Sequence, residues 1–129
     1  MNEDEIEGSL REVLGVDHTF GHRQHVHLAW RYSRDAELAV AEHRMCAAIR
    51  HVAALHRTPE KYHETLTMFW TRLVAAHVTT SDVRSFDEFI AKNAALLDRR
   101  LPARHYSDRV LMSDQARQEW VEPDLCPLP

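Results

Sequence analysis

The sequence predicts an all-α protein, built as a helical bundle of about four main helices with a short C-terminal helix and an extended, proline-rich tail. The three glycines all lie before residue 22, and the five prolines stand at positions 59, 102, 123, 127 and 129, so long windows are free of helix breakers. Alanine, leucine, glutamate and arginine, which favour helices, dominate these windows. Few stretches show the alternation of apolar and polar residues that a strand requires.

Length and charge bound the class of protein. A chain of 129 residues with 44% hydrophobic and 28% charged residues is typical of a single domain, here residues 1–129. The 16 basic and 20 acidic residues give a formal net charge of -4, which disfavours a nucleic-acid partner. No apolar run is long enough for a membrane span, so no membrane partner is expected. With only Cys46 and Cys126, and no apolar stretch typical of a signal peptide, we expect a cytoplasmic protein.

Two helices are predicted before residue 33. Behind an acidic N-terminus, apolar residues spaced across positions 6–14 predict a short amphipathic helix. The next, helix A, is expected to begin between residues 19 and 22 and to run to about Tyr32. Its inner side would carry three apolar residues at helical spacing, Val26, Ala29 and Trp30.

Helices B and C are predicted from their caps. Ser33 or Asp35 can cap helix B, which is expected to run to about His56. Thr58 is a capping residue and is followed by Pro59 at the first helical position, so helix C is expected to run from Pro59 to about position 78. The apolar stripe of helix B consists of Leu38, Met45, Ile49 and Val52, and the residues of helix C expected to be buried are Leu66, Phe69, Trp70 and Leu73.

The last third of the chain predicts two shorter helices. The S-x-x-E spacing of a capping box at residues 85–88 opens helix D, which is expected to reach about residue 98. Ser113 and the following aspartate are expected to begin one more short helix that ends near Trp120. Because repeated proline forbids a helix, residues 123–129 are predicted to be extended and to lie across the bundle as a strap.

Histidine is over-represented and clustered, which predicts a metal site. Ten residues are histidine, and four of them fall within residues 17–27. A neutral imidazole is a common metal ligand. His22 and His25 are three residues apart, so on a helix they point the same way, and His18 would extend the row by a turn. A solvated helix start is the equally favoured alternative for this spacing.

His63 and Glu64 are expected to complete the site from the first turn of helix C. The positive end of the helix dipole disfavours the imidazolium there, so His63 would be neutral and able to bind a metal. Glu64 could act as general base towards a metal-bound water, could orient a ligand, or could simply complement the helix dipole. The last role is the most common for a carboxylate at this position.

Two other residues are alternatives to His63 as a ligand. Glu42 lies in the apolar stripe of helix B, where a carboxylate is costly unless it binds an ion or pairs with Arg31 or Arg72. An antiparallel pairing of helices A and B that turns near Ser33 places His25 level with Glu42 and well away from His63. His56 continues the stripe of helix B and ends close to His63, so it is a reserve ligand.

Three segments, F-G-H-R-Q-H-V-H-L-A-W at 20–30, K-Y-H-E-T-L-T at 61–67 and A-R-Q-E-W-V-E-P-D-L-C-P-L-P at 116–129, carry a resemblance over most of the chain. The chain resembles a group of small, functionally uncharacterised bacterial proteins with the patterns F-x-H-x-x-H-V and K-Y-H-E-T. The resemblance implicates His22, His25, His63 and Glu64, and implies no activity.

The leading functional prediction is a small metal-dependent enzyme acting on a small molecule. His22, His25 and His63 would hold one divalent ion, with Glu64 as base. Zinc would indicate hydrolysis or elimination, and ferrous iron would indicate oxygen chemistry. The main alternative is a non-enzymatic helical protein, including a homodimer, that binds a partner or senses metal. A third interpretation is a small-molecule binder without a cofactor.

Overall fold

The computed structural model describes residues 1–14, 19–79 and 82–129. Over these residues the chain is all-helical and contains no strand, which confirms the predicted all-α class. This described part contains seven α-helices: α1 Glu3–Val13, α2 His22–Asp35, α3 Leu38–Leu55, α4 Glu64–Val78, α5 Phe86–Lys92, α6 Asp108–Leu111 and α7 Asp114–Gln118. His18, which was expected to extend the histidine row, lies outside the described residues.

Helix α4 occupies the centre of the packing. It makes its most extensive contacts with α2 and α3 and also touches α7, while α1 packs on α2 and α3. The three main helices supply fully buried apolar side chains: Val26, Leu28 and Ala29 from α2, Ala41, Met45 and Ala48 from α3, and Phe69 and Val74 from α4. None of the helices in the described ranges is long and apolar enough to cross a membrane. The bundle arrangement of the main helices stays a prediction.

The connection between α2 and α3 comes later than predicted. Helix α2 continues to Asp35, and α3 begins after Glu37, so the expected caps Ser33 and Asp35 do not cap α3. Two contacts explain why α2 continues through its last turn. Tyr32 is only 1% exposed, and Arg31 is paired with Glu12 of α1. Tertiary packing therefore overrides the local capping preference of Ser33.

The start of helix C was also predicted too early. Pro59–Lys61 forms only a 3₁₀ turn, and α4 begins at Glu64 with His63 as its N-cap. Thr58 belongs to the end of α3 instead. Its backbone N–H donates to Ala53 O at 2.8 Å, while Arg57, whose φ is 57°, donates to Ala54 O at 3.0 Å. This pair of bonds is a Schellman motif, which terminates α3 and leaves Thr58 unable to start a helix.

The helices of the C-terminal third are shorter than predicted, but α5 and α7 begin at the expected caps. Ser85 Oγ accepts from Glu88 N at 3.1 Å and begins α5, which ends at Lys92 because the Asn93 side chain donates to Phe89 O. A 3₁₀ turn, Ala94–Leu97, follows in place of the rest of helix D. Ser113 caps α7 as predicted, and α6 before it was not predicted.

Residues 119–129 contain no helix and are bonded to the rest of the chain. Thr65 Oγ1 of α4 donates to Glu119 O at 2.8 Å, and the Tyr106 hydroxyl donates to Val121 O at 2.6 Å. The His105 ring Nδ1 lies 2.8 Å from Cys126 O. These bonds tie the C-terminal segment to α4 and to the loop before α6; an extended strap across the bundle stays a prediction.

Candidate functional site

A cleft of about 430 Å³ brings four histidines together at one end of the main helices. His22 and His25 come from the start of α2, His63 from the start of α4, and His56 from the end of α3. The rest of the lining is mostly apolar, hydroxylated or basic: Phe20, Gly21, Ile49, Val52, Ala53, Thr58, Lys61, Tyr62, Leu66, Thr67, Trp70, Arg99 and Pro102. The three predicted ligands and the reserve ligand His56 therefore share one cleft.

The late turn between α2 and α3 explains why His25 is near His63 rather than Glu42. With the turn at Ala36 and Glu37, about three residues later than expected, the antiparallel pairing places His25 level with roughly position 48. Ile49, Val52 and Ala53 accordingly line the cleft beside it. The expected pairing of His25 with Glu42 was wrong. In an antiparallel helix pair, each residue by which the turn is misplaced shifts the facing position on the second helix by two residues.

The presence of Glu42 in the apolar stripe of α3 is explained by an ion pair. Its carboxylate lies 2.8 Å from Arg72 Nε of α4, and the Arg72 guanidinium also covers the Trp120 ring at 3.9 Å. Glu42 does not line the cleft. The pairing with Arg72, one of the two interpretations given to this residue, accounts for a carboxylate in an apolar stripe.

The four histidines share the cleft without converging on one point. Among the residues that the structure describes, no group of three or more His, Cys, Asp or Glu side chains is arranged to hold a metal ion. The ligand set His22, His25 and His63 stays a prediction. What each imidazole can do depends on the partners of its ring nitrogens.

Both ring nitrogens of His63 are engaged. Nδ1 accepts a hydrogen bond from the Leu66 N–H at 3.1 Å, so it carries no proton, and Nε2 therefore carries the proton and donates to Leu111 O at 2.7 Å. Burial lowers the pKa of His63, which keeps the ring neutral. His63 is the N-cap of α4 and not a first-turn residue, which corrects its expected position. A metal could reach it only by breaking one of these two bonds.

His25 presents the opposite situation. Its Nε2 is out of contact with solvent and has no hydrogen-bond partner in the described part of the chain. Burial, with a smaller contribution from His22, lowers the pKa of His25 to about 4, so the ring is neutral at pH 7. An unpaired buried polar atom costs about 1–3 kcal/mol. A group in the cleft that paired with Nε2 would relieve this cost.

His22 is intermediate between these two. Its Nε2 lies 2.9 Å from Leu96 O, and its ring packs edge-on against Trp70 with centroids 4.4 Å apart. Since a carbonyl only accepts, Nε2 carries the proton and Nδ1 keeps its lone pair in the neutral ring. Burial lowers the pKa of His22, the bond to Leu96 opposes this, and the charge of Arg99 lowers the pKa further.

Glu64 lies outside the cleft lining and has its own partners. Its carboxylate accepts from the Tyr62 hydroxyl and lies 3.2 Å from Arg50, whose guanidinium covers the Tyr62 ring at 4.8 Å. These contacts engage the carboxylate without testing whether it complements the helix dipole, so that role also stays a prediction. A general-base role for Glu64 stays a prediction.

Sequence reasoning missed the positive charges of the cleft. Lys61 and Arg99 line it, and no carboxylate does so within the described residues. Lys61 precedes the histidine of K-Y-H-E-T, a signal that was available. Arg99 comes from the distant turn after Ala94–Leu97, and only the tertiary structure brings it to the site.

Comparison with known proteins finds no matching family, no similar curated protein and no similar solved structure.

Proposed function

We propose that the cleft binds a small organic molecule, and that His25 supplies the polar contact that selects it. The proposal rests on one observation: the Nε2 of His25 is buried and has no hydrogen-bond partner among the described residues, on a side chain that lines a cleft with both apolar and polar walls. Small-molecule sites in proteins combine apolar walls with a few polar groups that fix the ligand's orientation. A bundle of the main helices around the cleft is the arrangement that this proposal assumes.

The size and walls of the cleft suit such a ligand. Its volume of about 430 Å³ falls within the range of small-molecule sites. The Phe20 and Trp70 rings and the aliphatic side chains of Ile49, Val52 and Leu66 provide the apolar surface. These walls favour an organic body over a free inorganic ion, because removal of their apolar surface from water stabilises the complex.

Ligand recognition by His25 is energetically reasonable. A new hydrogen bond to Nε2 contributes about 0.5–1.5 kcal/mol and also removes the cost of the unpaired atom. The neutral ring can either donate or accept at this nitrogen, depending on its tautomer. The ligand therefore determines which tautomer is populated.

A metal-dependent enzyme is the second candidate, and it is favoured by His22 and His25, which lie one helical turn apart on the same cleft. Because both nitrogens of His63 are bonded, His56 is the better third ligand in this candidate. Zinc held by neutral nitrogen ligands would supply a Lewis acid for hydrolysis or elimination, and ferrous iron would support oxygen chemistry. The homodimer and the cytoplasmic location stay predictions.

The small-molecule proposal is tested by screening fragment-sized neutral and charged compounds against the ¹⁵N-labelled protein by NMR. We expect the hits to perturb amide signals of cleft residues. In His25→Leu their affinity should fall about tenfold, which corresponds to about 1.4 kcal/mol of binding free energy. His43→Leu is the matched control, because His43 is exposed on α3 and outside the cleft. Hits that map elsewhere, or that bind His25→Leu equally well, would overturn the proposal.

Metal analysis of the protein purified without a histidine tag tests the second candidate separately. Stoichiometric zinc or iron that is lost in both His22→Ala and His25→Ala would support a metal site, with His56→Ala deciding the third ligand. Protein that carries no metal and takes up neither ion on addition would remove this candidate and leave the first untouched.

A further inference from the structure

We infer that the small molecule bound in the cleft is an organic anion, whose charged group is held by Lys61 and Arg99 and whose apolar body lies against Phe20 and Trp70. This inference rests on the proposed binding function and names the chemical class of the ligand.

The charge of the lining is the first observation. Lys61 and Arg99 are its two permanently charged side chains, and both are positive; within the described residues no Asp or Glu joins them. The chain as a whole carries 20 acidic and 16 basic residues. A positive cleft in a negative protein attracts anions locally, because low-dielectric walls concentrate the field of the charges that line it.

Neither positive side chain is directly paired with a carboxylate among the residues that the structure describes. Neither side chain forms an ion pair or hydrogen bond with any described residue, although a carboxylate lies next to each in sequence. Asp98 is bonded to Arg100, with Oδ1 3.0 Å from Nε, so it does not pair with Arg99. Glu60 lines a separate depression beside Asp114 rather than the cleft. Within the described part of the chain, no carboxylate therefore competes with an anionic ligand for Lys61 and Arg99.

The charge of Arg99 acts on His22. Burial is the main cause that lowers the pKa of His22, the bond to Leu96 opposes it, and the charge of Arg99 lowers the pKa further by more than Asp98 raises it. The imidazoles of His22 and His25 are thus neutral polar groups beside a positive mouth. A neutral His25 with its proton on Nε2 can donate to an anionic oxygen without adding charge.

The beginnings of two helices add to the same potential. Gly21 and His22 begin α2, and His63 begins α4; all three residues line the cleft. The N-terminal end of a helix carries a partial positive charge that favours anions. These partial charges reinforce the two side chains, which remain the main anion-binding groups.

The apolar walls decide between an organic and an inorganic anion. A free phosphate would leave the partly exposed side chains of Phe20, Ile49, Val52 and Leu66 in water, whereas an aryl or alkyl group would cover them and would meet the small exposed part of Trp70. The shared chemistry is an anionic oxygen group, either a carboxylate or a phosphate ester, on an apolar body. An Arg side chain can bind either group through two parallel hydrogen bonds.

The test compares benzoate, phenyl phosphate, benzyl alcohol and inorganic phosphate by NMR titration of the full chain. We expect benzoate or phenyl phosphate to bind at least tenfold more tightly than benzyl alcohol, and the tighter of the two identifies the anionic group. Inorganic phosphate should bind weakly. The double variant Lys61→Gln/Arg99→Gln should lose the preference for the anions, while binding of benzyl alcohol is unchanged. Arg104→Gln is the control, because Arg104 is exposed and does not line the cleft.

The outcomes separate this inference from the binding function. Equal affinity for benzyl alcohol and both anions, unchanged in the double variant, would overturn the anion inference while cleft binding survives. A failure of all four probes and of the fragment library to perturb cleft signals would overturn the binding function itself. Tight binding of inorganic phosphate alone would exclude an organic body.

Discussion

His63 and His25 line the same cleft, and in both the pKa is lowered by burial, yet they differ in what their ring nitrogens contact. His63 has a partner on each nitrogen, whereas His25 has none on Nε2 among the described residues. Buried polar groups in folded proteins are almost always hydrogen-bonded. The comparison teaches that burial of a histidine does not by itself determine whether its ring nitrogens are hydrogen-bonded, and this difference is what motivates the role proposed for His25.

The position of each residue in its helix explains the difference. As N-cap of α4, His63 is placed to accept the N–H of Leu66, and its other nitrogen joins α4 to the end of α6 through Leu111. His25 is the fourth residue of α2, and its ring is not used as a cap; its own backbone N–H donates to Gly21 O at 3.0 Å. Its ring is left to face the cleft. The same side chain therefore links two helices in one place and, in the other, has a ring nitrogen without a partner among the described residues.

Removal of His63 should have the largest effect on stability. We expect His63→Ala to lower the free energy of unfolding by about 2–4 kcal/mol, because it removes a helix cap and leaves Leu111 O without its donor. His63→Asn should recover about 1 kcal/mol, since asparagine can accept the Leu66 N–H. Urea unfolding of the three proteins measures this. An alanine variant as stable as the wild type would remove the structural role assigned to His63.

Acid should destabilise the protein through the unpaired histidine. The folded state holds the pKa of His25 at about 4, while in the unfolded chain histidine has its ordinary pKa of 6.5, so between these pH values only the unfolded state binds the proton. Stability is then fully present above about pH 6.5 and falls as the pH drops towards 4, by up to about 3 kcal/mol. His22 and His63, whose pKa values are also lowered, act in the same direction.

Unfolding measured from pH 7.5 to 4.5 checks this dependence. His25→Leu should flatten the decline, because the titrating group is gone, while His43→Leu should not. An identical decline in wild type and His25→Leu would show that His25 is not held neutral by burial.

The opposite sign is expected when His25 is replaced at neutral pH. His25→Leu should leave the free energy of unfolding unchanged or raise it by about 1 kcal/mol, because an apolar side chain replaces an unpaired polar atom. Differential scanning calorimetry at pH 7.5 measures the change. A loss of more than about 2 kcal/mol would reveal a partner for Nε2 and would place His25 with His63.

The smallest effect is expected at the mouth of the cleft. His56 is exposed at the end of α3, so His56→Ala should change the free energy of unfolding by less than about 0.5 kcal/mol. The same urea experiment applies. A larger loss would mean that the exposed histidines of the cleft also hold the fold.

Local signals in the sequence account for the part of this arrangement that could be predicted. Helical spacing and the caps at Ser85 and Ser113 act over a few residues, so they predicted the all-α class and two helix starts. The histidine spacing and the K-Y-H-E-T motif indicated His22, His25 and His63, which the structure brings to one cleft.

Distant contacts account for the part that could not be predicted. The Leu111 carbonyl that engages His63 is 48 residues away in sequence, and the carbonyl of Leu96 that engages His22 is 74 residues away. A late turn between α2 and α3 moved the register, and Arg99 reaches the cleft only in the folded chain. The hydrogen-bond partners of each imidazole depend on such distant contacts, and no local pattern encodes them.

The most direct test of the comparison is a long-range ¹H–¹⁵N spectrum of the histidine rings, recorded during a titration with sodium benzoate and assigned with His25→Leu and His63→Asn. We predict that His63 shows the tautomer protonated on Nε2 and does not change, while the ring nitrogens of His25 shift as benzoate is added. Shifts at His63 with His25 unmoved would contradict the assignment of the cleft's functional and structural histidines.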